Sequence, residues 1–200
     1  MLGYVHLLPE TRPALERRTV AGTALWVLEG DLDGGLLPSR RLRRWTRRLA
    51  ECGVSHAALP PGREAEFAPI RPVLPDGLRL ALLPRLLDCL APAGDTALLL
   101  ADRADSRTLC AARVLAERFR HLGLTNGGGA AAVTVTFGPQ AREGCAVYLT
   151  PDCARRQRVD YIWRDGESPA PEEPLLAALH RAGRLPDVGV KSAETLDIGP

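Results

Sequence analysis

The sequence predicts an α/β fold: a mainly parallel, Rossmann-like sheet built from at least two βαβ units, with short additional strands in the C-terminal third. Three observations carry this expectation. Apolar runs short enough to be buried strands end in turn residues. Each is followed by a stretch whose apolar residues recur at helical period, and a second apolar run then arrives at the distance a crossover needs. The chain has 200 residues, of which 46% are hydrophobic and 25% charged, enough to bury one core. Residues 1–200 therefore read as a single compact domain, with possible lobes at 1–92 and 93–200.

The first unit begins with Thr23-Ala24-Leu25-Trp26-Val27-Leu28, an apolar run that stops at Glu29-Gly30-Asp31-Leu32-Asp33-Gly34-Gly35. Pro38-Ser39 starts a helix. Leu42, Trp45, Leu49 and Cys52 share one of its faces, and Arg40, Arg41, Arg43, Arg44, Arg47 and Arg48 take the others as solvated positions. Gly53 supplies the C-cap, and Val54–Leu59 is the second strand. Residues 63–76, rich in proline and charge, read as irregular. From Gly77 to Ala91 two patterns compete. Leu78, Leu80 and Leu82 alternate as in a strand, whereas Leu83, Leu86, Leu87 and Leu90 repeat as in a helix, with Pro84 opening or kinking it.

The second unit opens with Thr96-Ala97-Leu98-Leu99-Leu100-Ala101, the continuous apolar pattern of a strand buried on both faces. Asp105 or Ser106 is the N-cap of the following helix, whose apolar face is Leu109, Ala112, Leu115, Ala116 and Phe119. His121–Leu124 returns as a strand. Beyond it, Val133–Phe137, Ala146–Leu149 and Val159–Trp163 read as short strands whose connections are too brief for helices, so some pairs are expected to be antiparallel or irregular. A last helix spans Pro174–Arg184, and Val188–Ser192 is a possible tail strand.

Composition removes several function classes. No run of about eighteen apolar residues is present, which argues against a membrane span, and the N-terminus lacks the basic start of a signal peptide. The five cysteines have no C-x-x-C pair, so neither a disulfide framework nor a zinc site is expected, and a cytoplasmic setting follows. Net charge is only +2, which argues against nucleic acid as a partner. Lys191 is the sole lysine beside 25 arginines. With isoleucine scarce, this arginine-rich composition fits a GC-rich bacterial genome, the competing reason being bidentate anion contacts.

Ligands of parallel α/β sheets bind beyond the carboxyl ends of the strands. Two acidic groups fall there: Glu29, Asp31 and Asp33 after one strand, Asp102 and Asp105 after another. The segment Val27–Leu37, with Asp31-Leu32-Asp33-Gly34, resembles the first motif of haloacid-dehalogenase-type phosphatases. The resemblance implies Asp31 as nucleophile, Asp33 as general acid-base, and Mg²⁺ held by Asp31, Asp102 and Asp105. Gly35 stands where that family has Thr, and the one lysine lies far downstream at Lys191.

The turn Asp102-Arg103-Ala104-Asp105-Ser106-Arg107 lacks the glycines of a dinucleotide fingerprint. A helix N-terminus still offers free N–H groups to an anion, so Asp102, Arg103, Asp105, Ser106 and Arg107, with Gly127, Gly128 and Gly129 after the next strand, form the expected ligand site. The leading expectation is a non-catalytic module that binds a small molecule or a protein. The alternative is the Mg²⁺-dependent phosphatase.

Overall fold

The structure, a computed structural model, describes residues 1–34, 37–125, 131–137, 145–149, 157–163, 170–184 and 187–195. It is mixed α/β and divides into two compact units, Met1–Leu74 with Glu172–Pro186, and Pro75–Pro171 with Asp187–Pro200. Among the described residues no helix is long and apolar enough to cross a membrane, and Cys52, Cys89 and Cys110 are free thiols.

The first unit is built on β1 (Leu2–Leu7), β2 (Ala14–Val20), β3 (Thr23–Gly30), α1 (Pro38–Glu51), β4 (His56–Ala58) and β5 (Arg71–Pro72). The sheet order is β2-β3-β1-β4-β5. β1 runs parallel to β3 and β4, and β4 parallel to β5, while β2 joins β3 as an antiparallel hairpin on the edge. The strand expected from Val54 to Leu59 is shorter, at His56–Ala58, with Val54 and Leu59 buried on either side. β1, the centre of the sheet, was not anticipated. Its residues mix glycine, tyrosine and histidine with only three aliphatics, which leaves no clean alternation to read.

Side chains alternate across this sheet, and each face has its own cover. Val5 and Leu28 meet Leu49 of α1, together with Leu32, Val54, Phe67 and Ile70. Leu25 and Val27 meet Leu175 and Leu179 of the C-terminal helix Glu173–Arg181, which is α5 once the intervening helices are numbered. Phe67 and Ile70 belong to the stretch that reads as irregular. There a short 3₁₀ turn, Glu64–Phe67, turns both side chains into the core.

The second unit contains α2 (Asp76–Ala81), α3 (Leu83–Leu90), β6 (Thr96–Leu100), α4 (Ser106–Ala116), β7 (His121–Thr125), β8 (Val133–Thr136) and β9 (Cys145–Tyr148). The competition between strand and helix over 77–91 resolves as two helices, with Pro84 in the first turn of α3, where its missing N–H has no intrahelical role. The sheet order is β7-β6-β8-β9, all parallel. Among the described residues of the unit, the antiparallel pair joins β10 (Gln157–Trp163) to β11 (Val188–Thr195). The core gathers Leu86 and Leu87 of α3, Leu99 of β6, Leu115 of α4 and Val135 of β8. Ala111 and Leu115 are the buried residues of α4, whereas Leu109, expected on the same face, is 63% exposed.

Among the described residues, side chains meet the edge of β9 away from β8. Gln157 donates its amide to the carbonyl of Ala146 at 2.8 Å and accepts from the backbone N–H of Tyr148 at 3.2 Å. Arg79, only 1% exposed, donates to the carbonyls of Tyr148 and Gln157 at 3.1 and 3.0 Å. Covering an edge in this way denies it to other chains. Arg79 is thereby a structural post in the interior of this unit.

Candidate functional site

The carboxyl ends of β1 and β3 lie side by side, because the two strands pair in parallel from Gly3–Trp26 to Leu7–Gly30. The loop leaving β1 is tied to the end of β3. The N–H of Leu8 donates to the carbonyl of Gly30 at 3.2 Å, and the N–H of Asp31 donates to the carbonyl of Thr11 at 2.8 Å. Gly30 has φ +136°, and a Cβ there would stand 2.6 Å from the Cα of Pro13, so only glycine permits so close an approach. Glu10, at the tip of the loop, adopts φ 60°, a conformation uncommon outside glycine and concentrated at functional sites.

Between this loop and α1 is a cavity of about 700 Å³. Its loop wall is Glu10, Thr11, Arg12 and Pro13, and its floor includes Asp31. The helix wall is Arg40, Arg41, Arg44, Trp45 and Arg48. Position along the helix explains the set. Residues 41, 44 and 48 lie one turn apart on one side, next to the face that buries Thr46 and Leu49. Arg41 donates to the main-chain carbonyl of Asp31 at 3.2 Å, and the Arg48 guanidinium lies over the Trp45 ring, 4.9 Å from its centroid. Among the described residues, Arg12, Arg40, Arg44 and Arg48 have no carboxylate partner. Five guanidinium groups and the carboxylates of Glu10 and Asp31 line the cavity. Sequence reasoning placed these arginines in solvent. Their concave wall is visible only when the 10–13 loop is brought against the helix.

Asp31 and Asp33 are both engaged. One carboxylate oxygen of Asp31, Oδ1, accepts the backbone N–H groups of Asp33 at 2.8 Å and Gly34 at 2.7 Å. These bonds, with Gly34 the stronger influence, hold the carboxyl below the ordinary carboxylate range, so Asp31 is an anion at neutral pH. Asp33 is gripped by Arg63, which donates from Nη1 at 2.6 Å and from Nη2 at 2.8 Å, while the same guanidinium binds Glu66. The Glu66 carboxyl is lowered by that hydrogen bond.

The expected site at the second unit's β6–α4 turn is satisfied from within. Asp105 is the N-cap of α4, its Oδ1 accepting from the N–H groups of Arg107 at 3.0 Å and Thr108 at 2.9 Å. The backbone bond from Thr108 leads in keeping its carboxyl low. Two of the helix N–H groups that an anion would use, those of Arg107 and Thr108, are bonded to Asp105. Arg107 pairs with Asp76 at 2.6 Å and lies over Phe137, 5.6 Å from the ring centroid. Asp102, Arg103 and Ser106 are exposed. Gly127, Gly128 and Gly129 lie outside the described residues.

Asp31 and Asp33 belong to the first unit, and Asp102 and Asp105 to the second. Among the described residues no group of three or more His, Cys, Asp or Glu side chains is placed to hold a metal ion. Arg79 and Arg85, two arginines between the acidic positions 31–33 and 102–105, are engaged elsewhere: Arg79 donates to the Tyr148 carbonyl of β9, and Arg85 pairs with Asp187 at 3.3 Å. Comparison with protein-family models, with curated proteins and with solved structures finds no match to this chain.

Proposed function

We propose that this protein is a non-catalytic small-ligand-binding module of Rossmann-like architecture, with its ligand held in the first unit at the carboxyl ends of β1 and β3. The reading of β6, α4 and β7 as a βαβ unit is part of the same proposal, supported by the parallel pairing of β6 with β7 on either side of the helix. One observation carries the functional reading. The cavity of about 700 Å³ opens where parallel strands end and a loop and a helix converge, the position at which α/β sheets bind ligands. Its size is that of pockets for metabolite-sized molecules.

Thermal unfolding with a panel of small molecules, sorted into anionic, neutral and cationic compounds, tests this reading. A ligand present at about 100 times its Kd stabilises by about 2.7 kcal/mol, an easily measured rise in midpoint. Thr11→Trp, which fills the cavity from an exposed loop position, abolishes the rise. A panel without any stabilising compound, or a rise that survives Thr11→Trp unchanged, overturns the proposal.

The phosphatase alternative keeps one supporting observation: Asp31, the residue that its motif names as nucleophile, lines the arginine-rich cavity. Turnover of a phosphoester panel with Mg²⁺, lost in Asp31→Asn, would establish it. Absence of turnover by the unmodified chain removes it.

A further inference from the structure

The arginine wall says what kind of ligand the cavity takes. We infer that the ligand carries at least two phosphate or equivalent oxyanion groups joined by a short bridge, one held at the Arg12 and Arg41 end and the other farther along α1 at Arg44 and Arg48. The inference rests on the small-ligand reading above and gives that ligand its chemical class.

Charge is the first argument. Five guanidinium groups against two carboxylates leave three positive charges around the cavity. One of those carboxylates, Asp31, already has an oxygen committed to the backbone N–H groups of Asp33 and Gly34. A single phosphate carries about −1.5 to −2 at neutral pH and leaves the wall cationic, whereas two linked phosphates bring it close to neutrality.

Spacing is the second argument. Arg40, Arg44 and Arg48 recur every four residues, and at about 1.5 Å rise per residue each step along α1 is about 6 Å. A ladder of forks at that interval matches successive oxyanions on one small molecule, because each guanidinium grips two oxygens in its plane. The third argument is the absence of competition. α1 has no acidic residue in its first turn, and among the described residues Arg12, Arg40, Arg44 and Arg48 lack carboxylate partners. Arg43 and Arg47 do not line this cavity; they share an adjoining cleft along α1 with Arg40, Arg44, Arg48 and Glu51, the surface a polynucleotide would use.

Titration calorimetry of the full chain, with inorganic pyrophosphate and inorganic phosphate as probes, tests the inference at low salt. Pyrophosphate binds at least tenfold more tightly than phosphate. The double variant Arg44→Ala/Arg48→Ala weakens pyrophosphate at least tenfold, and Arg44→Lys/Arg48→Lys recovers only part of the loss, since lysine keeps the charge without the fork. Arg43→Ala/Arg47→Ala changes affinity by less than twofold. Equal binding of the two anions overturns the inference, as does an equal loss in the Arg43/Arg47 variant, which would mark a diffuse cationic face or a polynucleotide surface. If neither anion binds but a neutral or cationic compound stabilises the chain in a manner lost in Thr11→Trp, the small-ligand reading stands and the polyanion assignment falls. If no compound binds at all, both fall.

Discussion

Replacing Arg44 with alanine makes the free protein more stable. Arg44 has arginines three and four positions away on both sides, at Arg40, Arg41, Arg47 and Arg48. Like charges at those spacings each destabilise a helix by about 0.2–0.5 kcal/mol, so the four pairs together cost about 1–2 kcal/mol at low salt. Alanine adds a slightly better helix propensity, and loss of the aliphatic stem of arginine, which covers apolar surface, subtracts from the gain. The net expectation is a stabilisation of about 1 kcal/mol, a trade of stability for binding of the kind functional sites show.

Urea unfolding followed by tryptophan fluorescence measures this directly. Trp26 and Trp45 lie in the first unit and Trp163 in the second, so a Trp163→Phe background confines the signal to the unit of interest. In that background Arg44→Ala raises the midpoint by about 0.5 M urea, given slopes of about 1–3 kcal/mol per molar. The difference shrinks at about 1 M salt, where the screening length falls to about 3 Å. A variant that is less stable at low salt, or a difference indifferent to salt, refutes the reasoning that these charges are unpartnered and mutually repelling.

Gly34→Ala disturbs the cavity floor, because a Cβ at that position would overlap the Asp31 carboxylate. The expected result is loss of anion binding by calorimetry with far-ultraviolet circular dichroism unchanged. Arg79→Met removes two buried hydrogen bonds, one to Tyr148 of β9 and one to Gln157 of β10, and destabilises the second unit by about 2–4 kcal/mol. Denaturation followed by a Trp163 signal reads this, and light scattering shows the exposed edge as increased association. His56 is held below its ordinary value, first by burial and then by Arg181 and Arg71. The unfolded chain therefore takes up a proton before the folded one. Stability is full above about pH 6.5, the unfolded value, and falls as pH drops through the depressed folded value. His56→Gln flattens that slope in unfolding midpoints measured across the range.

Much of the fold is legible in the sequence where one physical signal acts alone. The continuous run Thr96–Ala101 reads as a strand buried on both faces, and β6 spans Thr96–Leu100; of the two N-cap candidates, Asp105 and Ser106, the cap is Asp105, whose carboxylate reaches two N–H groups. Legibility fails where tertiary partners decide. β2 has charged residues at 16, 17 and 18 and is a strand because it pairs with β3 at an edge. Leu109 has the right helical spacing but is exposed on α4. The β8–β9 pair is parallel, where connection length alone leaves an antiparallel pair or an irregular link open.

The site shows the same division. Asp31 is recognisable as a residue at a strand end, since a turn after an apolar run places it there. That its carboxylate binds its own backbone, and that Asp33 is clasped by Arg63 thirty positions away, depend on contacts that no local pattern records. The arginines of α1 are plain in the sequence, yet their meaning changes once Glu10–Pro13 stands opposite them.

The most direct test of the central claim is a nitrogen–proton correlation titration of the labelled chain with pyrophosphate. A site at the carboxyl ends of β1 and β3 predicts saturable shifts concentrated at residues 10–12, 31 and 40–48, with the amides of 102–107 unmoved. Shifts centred on 102–107, or small unsaturable shifts spread over every exposed arginine, would contradict it.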